Sequence, residues 1–439
     1  MNKKVHEKVA LKNSDDAKFI DFQIDTSWHG LSDMVDEVFN IIGKPHGTSE
    51  KKCKDAIEIV ILNLIKNYHN SNVETAYFRK RGMYKALSRY NPRNVGHDAI
   101  VHVVDGLKAS GFIGEKIGFY DRKNQTQSRA SRMIAKQPLV DLANKHSVTP
   151  GSFCKHKNFA PIILKDELGT LKEYGKSNGR AQDHSEAIAM RNNVRMINEL
   201  LERTEIVAPY SPATGPSLTV STPTALSSID KTLYRVFNGS FKSGGRFYGG
   251  WWETVSKDVR KQILINGEGV VERDFRAIHP TILYIDKTGH PPKGDPYILP
   301  GFEGDRTMRK IVKLAMLILI NAKTEEDSIH ALEGKVEADE SLSNAVALKY
   351  DELDYADVIR QIKEFHPAIK DELGSGIGIR LQYKDSRLAE AIMLQLAEKN
   401  IPCLPVHDSF IVQSQYEDEL VKAMQSTFVD QYGHVPVID

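Results

Sequence analysis

Residues 401–414 read IPCLPVHDSFIVQS. Two short apolar runs are separated by three polar residues, His407, Asp408 and Ser409. Apolar runs of this length suit buried strands, and the polar break suits the tip between them. A strand–turn–strand is therefore expected here, and the rest of the chain must supply the core that buries it. Asp408 has two readings. It can simply make the turn, or it can be a carboxylate held at the lip of a cleft.

A second stretch, GEGVVERDFRAIHPTILY (residues 267–284), has the same character. A glycine turn leads into an expected strand from Val270 to Asp274. Period-two alternation puts Val270, Glu272 and Asp274 on one face and Val271 and Arg273 on the other. Ile278, Ile282 and Ile285 then recur at helical spacing, and Pro280 is tolerable there only in a first helical turn. Asp274 is thus expected at a strand end with a helix starting behind it. Alone, an aspartate in that place also reads as a helix N-cap. Should Asp274 and Asp408 meet, they could hold two divalent ions ~3.5–4 Å apart. One ion would lower the pKa of an attacking hydroxyl, and the other would neutralise a leaving pyrophosphate.

A third stretch, DRTMRKIVKLAMLILINAK (residues 305–323), reads as a helix with an apolar body. Arg309 and Lys313 are one turn apart and share a face, which Leu317 and Asn321 continue. Two cations in register suit a row of phosphates. They equally suit a solvated basic edge on a core helix.

The 439 residues suggest two or three domains, and 41% hydrophobic with 27% charged residues is an ordinary soluble composition. No run approaches ~20 uninterrupted apolar residues, so no transmembrane helix and no membrane partner is expected. The N-terminal MNKKVHEKVALKNSDD lacks the apolar core of a secretory signal. Cys53, Cys154 and Cys403 stand apart with no CxxC pair, which disfavours structural zinc and suits a reducing cytoplasm. Net charge is only +1, so nucleic-acid binding would need basic residues gathered locally. Two such gatherings are FRKRGMYKALSRY (residues 78–90), with Arg79 and Arg81, and the segment from Arg122 to Arg132, with Arg129.

Along the chain the expected organisation is a helical region (1–75), a small α+β module (76–180), a helix with a Pro/Ser/Thr-rich connection (181–228), and a chemistry-bearing part (229–439). DAIEIVILNLIKNY (residues 55–68) is apolar almost all round and reads as a buried helix. From 76 to 145 the order is helix, strand, basic turn, strand, then another helix. That is the order of a winged helix, in which a helix enters the major groove and the hairpin touches phosphates. The same order also describes a small packing domain with a solvated basic hairpin.

In this sequence order, the three C-terminal stretches resemble motifs A, B and C of A-family DNA polymerases and the related single-subunit RNA polymerases. Asp274-Phe275-Arg276-Ala277-Ile278-His279 resembles D-Y-S-x-I-E. Arg309, Lys313, Leu317 and Asn321 resemble R-x3-K-x3-F-x3-Y-G. Val406-His407-Asp408-Ser409-Phe410 resembles V-H-D-E of the DNA enzymes and H-D-S-F of the RNA enzymes. GGRFYGGWW (residues 244–252) resembles T-G-R-L-S-S, and LQYKDSRLAEAIM (residues 381–393) resembles the Q-G-x-A-A-D helix. The resemblance covers residues 229–439. It implies an α+β fold with a right-hand palm and fingers, and two Mg2+ ions on Asp274 and Asp408, with Mn2+ as the alternative. Arg309 and Lys313 would hold the triphosphate, and Lys313 would protonate the pyrophosphate. Arg246, Gln382 and His407 would contact nucleic acid.

The sequence departs from the family where sugars are sorted. His279 replaces the glutamate that excludes a ribose 2′-hydroxyl, Leu317 the stacking aromatic, and Asn321 the fingers tyrosine. Ribonucleotide-tolerant incorporation is the expectation; a histidine bonded within the palm is the other reading of His279. No proofreading exonuclease fits, and the expected thumb is small, which suggests a primase or primase-polymerase of a mobile element. DNA template, primer–template and nucleoside triphosphates are the implied partners, with a helicase or single-strand-binding protein beside them. Two alternatives stand: a DNA-binding replication initiator or regulator with a degenerate palm, and a single-subunit RNA polymerase.

Overall fold

The computed structural model describes residues 17–70, 72–84, 89–119, 129–166, 169, 171–174, 176–177, 180–181, 185–208, 231–350 and 352–439. The chain mixes α and β structure and divides into two compact units. The first comprises residues 1–163, 170–234 and 249–267, the second residues 164–169, 235–248 and 268–439. The chain therefore leaves the first unit and returns to it. Among the described residues, no helix is long and apolar enough to cross a membrane.

The first unit opens with β1 (Lys18–Phe19), β2 (Ile24–Thr26), α1 (Gly30–Ile42), α2 (Glu50–His69), β3 (Thr75–Tyr77), α3 (His97–Ala109), β4 (Ile113–Lys116), β5 (Ser131–Ala135) and α4 (Gln137–Lys145). α2 is the expected buried helix, longer at both ends. Ser49 caps it by accepting from the Lys52 amide, which satisfies one donor that the first turn leaves open. Its apolar circumference fills the core beside Met34, Val38, Ile100, Val104 and Leu139. Two asparagines share that burial because each is bonded. Asn63 accepts from the Asp21 amide at 2.8 Å, and Asn67 Nδ2 donates to Thr75 Oγ1 at 2.8 Å.

α3, β4 and β5 follow in the order expected of a winged helix, and β4 pairs antiparallel with β5. β5 is nevertheless an inner strand of a sheet ordered β1–β3–β5–β4, and all five of its residues are buried. A wing would leave one face open to phosphates, so this strand is core. The basic turn at 122–128 and residues 85–88 of the other basic gathering lie outside the described residues.

β6 (Phe153–Lys155) pairs with β2. β7 (Ile162–Lys165), β8 (Lys176–Ser177), β9 (Arg180–Ala181), α5 (Ser185–Glu202) and β10 (Ile206–Val207) follow. α5 begins slightly inside the expected 182–204 and buries Ala187, Met190, Val194, Ile197 and Leu201 along one stripe. Most of the Pro/Ser/Thr-rich connection, residues 209–230, lies outside the described residues.

Next come β11 (Tyr234–Asn238), β12 (Ser240–Tyr248), α6 (Lys257–Arg260) and β13 (Leu264–Ile265), then β14 (Glu268–Asp274). β11 and β12 form a hairpin across Gly239, whose φ is +74°. The second unit continues with α7 (Ile278–Thr288), α8 (Arg306–Asn321), α9 (Glu325–Ala338), α10 (Glu340–Lys349), α11 (Tyr355–Phe365), α12 (Gly378–Glu398), β15 (Leu404–Val406), β16 (Ser409–Gln413) and α13 (Glu417–Tyr432). β16 lies between β14 and β15 and is antiparallel to both. Behind this sheet Phe275 packs edge-on to Phe410 at 6.3 Å and tilted to Phe428 at 5.8 Å.

α12 packs along β12. Buried Arg235 ties them together, donating to Gly245 O at 2.8 Å and to Ser386 Oγ at 3.1 Å, and pairing with Glu390 at 2.9 Å. Gly245 has φ +86°, and a Cβ there would stand 2.5 Å from the Phe237 ring. Glycine is needed on both counts, and it places Arg246 as the next residue.

Candidate functional site

The strand register joins the two aspartates. Asp274, the last residue of β14, is the ladder partner of Ser409, which immediately follows Asp408. The Phe275 amide donates to Asp408 O at 3.4 Å. Asp408 and His407 form the two-residue tip between β15 and β16, as the sequence suggested. Asp274 is therefore a strand-end carboxylate; the residue at the α7 N-cap is Ala277, with φ +50°. His407, exposed at the hairpin tip, also has positive φ, +60°. Non-glycine residues in that region carry strain of about 1–3 kcal/mol, and such strain clusters at functional sites.

Segment 437–439 runs beside the end of β14. Asp439 N donates to Asp274 O at 2.9 Å, and the Arg276 amide donates to Val437 O at 2.9 Å. The Asp439 side chain pairs with Arg276. That pairing, with Lys313 and Arg309 adding to it, holds its carboxyl below the usual carboxylate range. On the Asp274 face of the sheet, Ser409 Oγ donates to Glu272 Oε1 at 2.9 Å.

α8 supplies the cations. Met308, Ile311, Val312, Ala315, Met316, Leu319 and Ile320 are buried, which leaves Arg309, Lys313, Leu317 and Asn321 on the open stripe. Arg309 pairs with Asp295 at 2.6 Å and lies over the Tyr297 ring. Burial raises the Tyr297 hydroxyl pKa, and the charges of Asp295, Asp408 and Asp274 raise it further. Both aspartates, Asp295 and Arg309 thus share one neighbourhood. Leu317 is 55% exposed on this stripe. Asn321 Nδ2 donates to Leu317 O at 2.8 Å, within its own helix.

The residues singled out for sugar and nucleic acid also gather here. Arg246 and His279 both bond to Asp385 of α12, which is 2% exposed. Gln382 is half-buried one turn before Asp385 on the same helix. Burial works against the charge of Arg246, but Asp385 and then Asp408 raise its pKa.

The basic residues of the first unit behave differently. Arg132 is buried and donates to Glu74 at 3.1 Å, so its guanidinium belongs to the fold rather than to a DNA-facing surface. Arg79 pairs with Asp105 and Glu115, and exposed Arg81 with Asp98. Arg129 is exposed, opposite Phe119 in an isolated bridge. Arg132, Arg79 and Arg81 are each offset by a carboxylate, which weakens the expected patch.

Sequence reading missed Asp295, Asp385, Arg276 and Asp439. No periodicity marks them; they reach the site through loops, the inner face of α12 and the 437–439 segment. No family model matches the chain, and no curated protein matches it.

Among the described residues, no group of three or more His, Cys, Asp or Glu side chains is placed to cage a metal. Carboxylates are hard oxygen donors, and Mg2+ is commonly held by one or two of them plus substrate phosphates. Asp274 and Asp408 fit that manner of binding.

Proposed function

We propose that the second unit is a template-directed nucleotidyltransferase palm, a DNA polymerase or primase that uses nucleoside triphosphates and Mg2+, with Mn2+ as an alternative ion. The observation that carries this reading is the register that sets Asp274 opposite Ser409, beside Asp408, within reach of the open stripe of α8.

Asp274 and Asp408 would hold the ions, which when bound supply a more acidic attacking hydroxyl and charge neutralisation on the departing pyrophosphate. Arg309 and Lys313 bind and orient the triphosphate, and Lys313 delivers a proton to the pyrophosphate. Phosphoryl transfer needs mostly positioning and charge compensation, which these four residues offer. Asp295 occupies Arg309 until a phosphate displaces it. Arg246, Gln382 and His407 contact the primer–template, and His279 lies beside the sugar. The first unit would grip the template, and a helicase or single-strand-binding protein in the cytoplasm would be the working partner.

The test is extension of a labelled primer on a DNA template with Mg2+ and either all four dNTPs or all four NTPs. Asp408→Ala should lower the rate on the order of 10³-fold or more, because it removes several kcal/mol of charge compensation, with an unchanged circular dichroism spectrum. Extension by that variant at the wild-type rate would refute the assignment. A DNA-binding initiator with a degenerate palm is the second reading. It is favoured by Asn321, whose side chain is turned onto its own helix. That protein would bind DNA and extend nothing.

A further inference from the structure

His279 does not stand alone in the first turn of α7. Its Nε2–H donates to Asp385 Oδ2 at 2.8 Å. Arg246 Nε donates to both carboxylate oxygens of Asp385, at 3.3 and 3.1 Å, and its Nη2 pairs with Oδ2. Arg246 Nη2 is also 3.4 Å from His279 Nε2; that nitrogen already carries the proton given to Asp385, so this approach is packing rather than a second bond. The Asp385 side chain is 1% exposed, against 13% for His279 and 16% for Arg246. A buried carboxylate from α12 thus holds one residue of β12 and one of α7.

The chemistry of imidazole gives this arrangement a consequence. A neutral ring has one donor nitrogen and one acceptor nitrogen, and the partner of one nitrogen fixes the role of the other. With Nε2–H committed to Asp385, Nδ1 is left as a hydrogen-bond acceptor. A ribose 2′-hydroxyl can donate to such an acceptor, and a deoxyribose cannot. A carboxylate at position 279 would offer acceptor oxygens in several directions; a histidine whose Nε2–H is committed offers one acceptor of one orientation.

Building on the nucleotidyltransferase reading, we infer that Asp385 is the positioning residue of the sugar-reading subsite: it locks the tautomer and orientation of His279, so that the site accepts ribonucleotides through the 2′-hydroxyl. Asp385 touches neither substrate nor reacting atoms; it acts through His279 and keeps Arg246 in place beside it. Asparagine at 385 keeps the shape of the side chain, but it has one acceptor oxygen to divide between Arg246 and His279. The tautomer is then no longer imposed.

The experiment compares wild type, Asp385→Asn, His279→Phe and the double variant. It measures kcat and KM for single-nucleotide extension with an NTP and with the matching dNTP. For Asp385→Asn the ratio of kcat/KM for NTP over dNTP should fall about tenfold, which corresponds to ~1.4 kcal/mol. The change should sit in KM for the NTP, and any loss transmitted through Arg246 should fall on both sugars alike and cancel in the ratio. His279→Phe should lower the ratio similarly, and the double variant no further. The 15N spectrum of His279 should show the Nε2–H tautomer in wild type and a mixture in Asp385→Asn. A ratio within twofold of wild type in either single variant overturns the inference, as does an Nδ1–H tautomer in wild type. Where Asp385→Asn fails to fold, His279→Phe and the wild-type tautomer decide. Wild type that extends with neither sugar refutes the parent reading, and this inference with it; wild type that extends while the ratio stays fixed sinks this inference alone.

Discussion

Asp274 and Asp408 each lie close to a residue in the left-handed region, Ala277 and His407. Neither residue is glycine, so the surrounding structure holds a conformation that the local sequence resists. A third residue under stress is Glu253. Its Oε1 is buried with no hydrogen-bond partner among the described residues. Burial pushes its carboxyl up to about 8. An unfolded glutamate loses its proton near pH 4.5, while the folded one keeps it to about pH 8. The folded state therefore binds more protons in this window, and its stability falls as pH rises from about 4.5 to 8. Glu253→Gln removes the charge and should leave stability at pH 5 unchanged. At pH 8.5 it should add on the order of a few kcal/mol, at ~1.4 kcal/mol per unit of the shift, because wild type must then ionise the buried carboxyl or hold its proton against the solvent. Thermal melts at the two pH values measure this; equal gains at both would contradict the burial argument. The residues readable from sequence were those on a periodic element or at a strand end: Asp274, Asp408, Arg309 and Lys313. Asp385 was within the quoted helix, but its role depends on β12 and α7 arriving beside it, and no local pattern encodes that meeting.

At the scale of elements, α8 carries the cations, and its first turn is set by Asp305. The Asp305 carboxylate accepts from the Thr307 and Met308 amides at 3.0 Å. It also takes Tyr350 OH at 2.5 Å and Lys349 Nζ at 2.6 Å. Burial opposes ionisation, but Lys349, Tyr350 and the Met308 amide outweigh it and bring the carboxyl to about 2. Because the folded pKa is depressed, the cap stabilises fully above about pH 4 and is lost as pH falls toward 2. Asp305→Ala should cost about 1–2 kcal/mol at pH 7. It should also raise KM for the triphosphate, since Arg309 lies in the turn that the cap orders. Denaturant titration and extension kinetics check the two effects; an unchanged midpoint would deny the cap its weight. The helix itself was legible because its apolar stripe has period 3.6, as were β14, β15 and β16 from their short apolar runs; α12 was expected only from the resemblance of residues 381–393 to a family helix. The hairpin β4–β5 was legible as a hairpin but not as an inner part of a sheet. The strand that buries it, β3, is three residues long, too short to show alternation.

At the scale of the whole molecule, the proposed reading gives the ions a task in catalysis and none in holding the fold. Among the described residues no cluster of three or more ligands cages a metal, and the core of the first unit is closed by apolar packing around α2. A pair of carboxylates binds Mg2+ weakly until substrate phosphates complete its shell. An ion present near its Kd adds only about 0.4 kcal/mol to stability. In a chain of this size that shifts Tm by roughly 1–2 °C at most. Chelation with EDTA should therefore abolish primer extension while leaving the melting curve in place. Mg2+ and a nucleoside triphosphate added together should raise Tm more than the sum of each alone, because each supplies ligands for the other between Asp274, Asp408 and the α8 cations. Asp408→Ala should lose that synergy and keep the unliganded Tm. A fall of more than about 5 °C on EDTA would mean that a metal holds the fold together, and the two-carboxylate site would then have been assigned the wrong task.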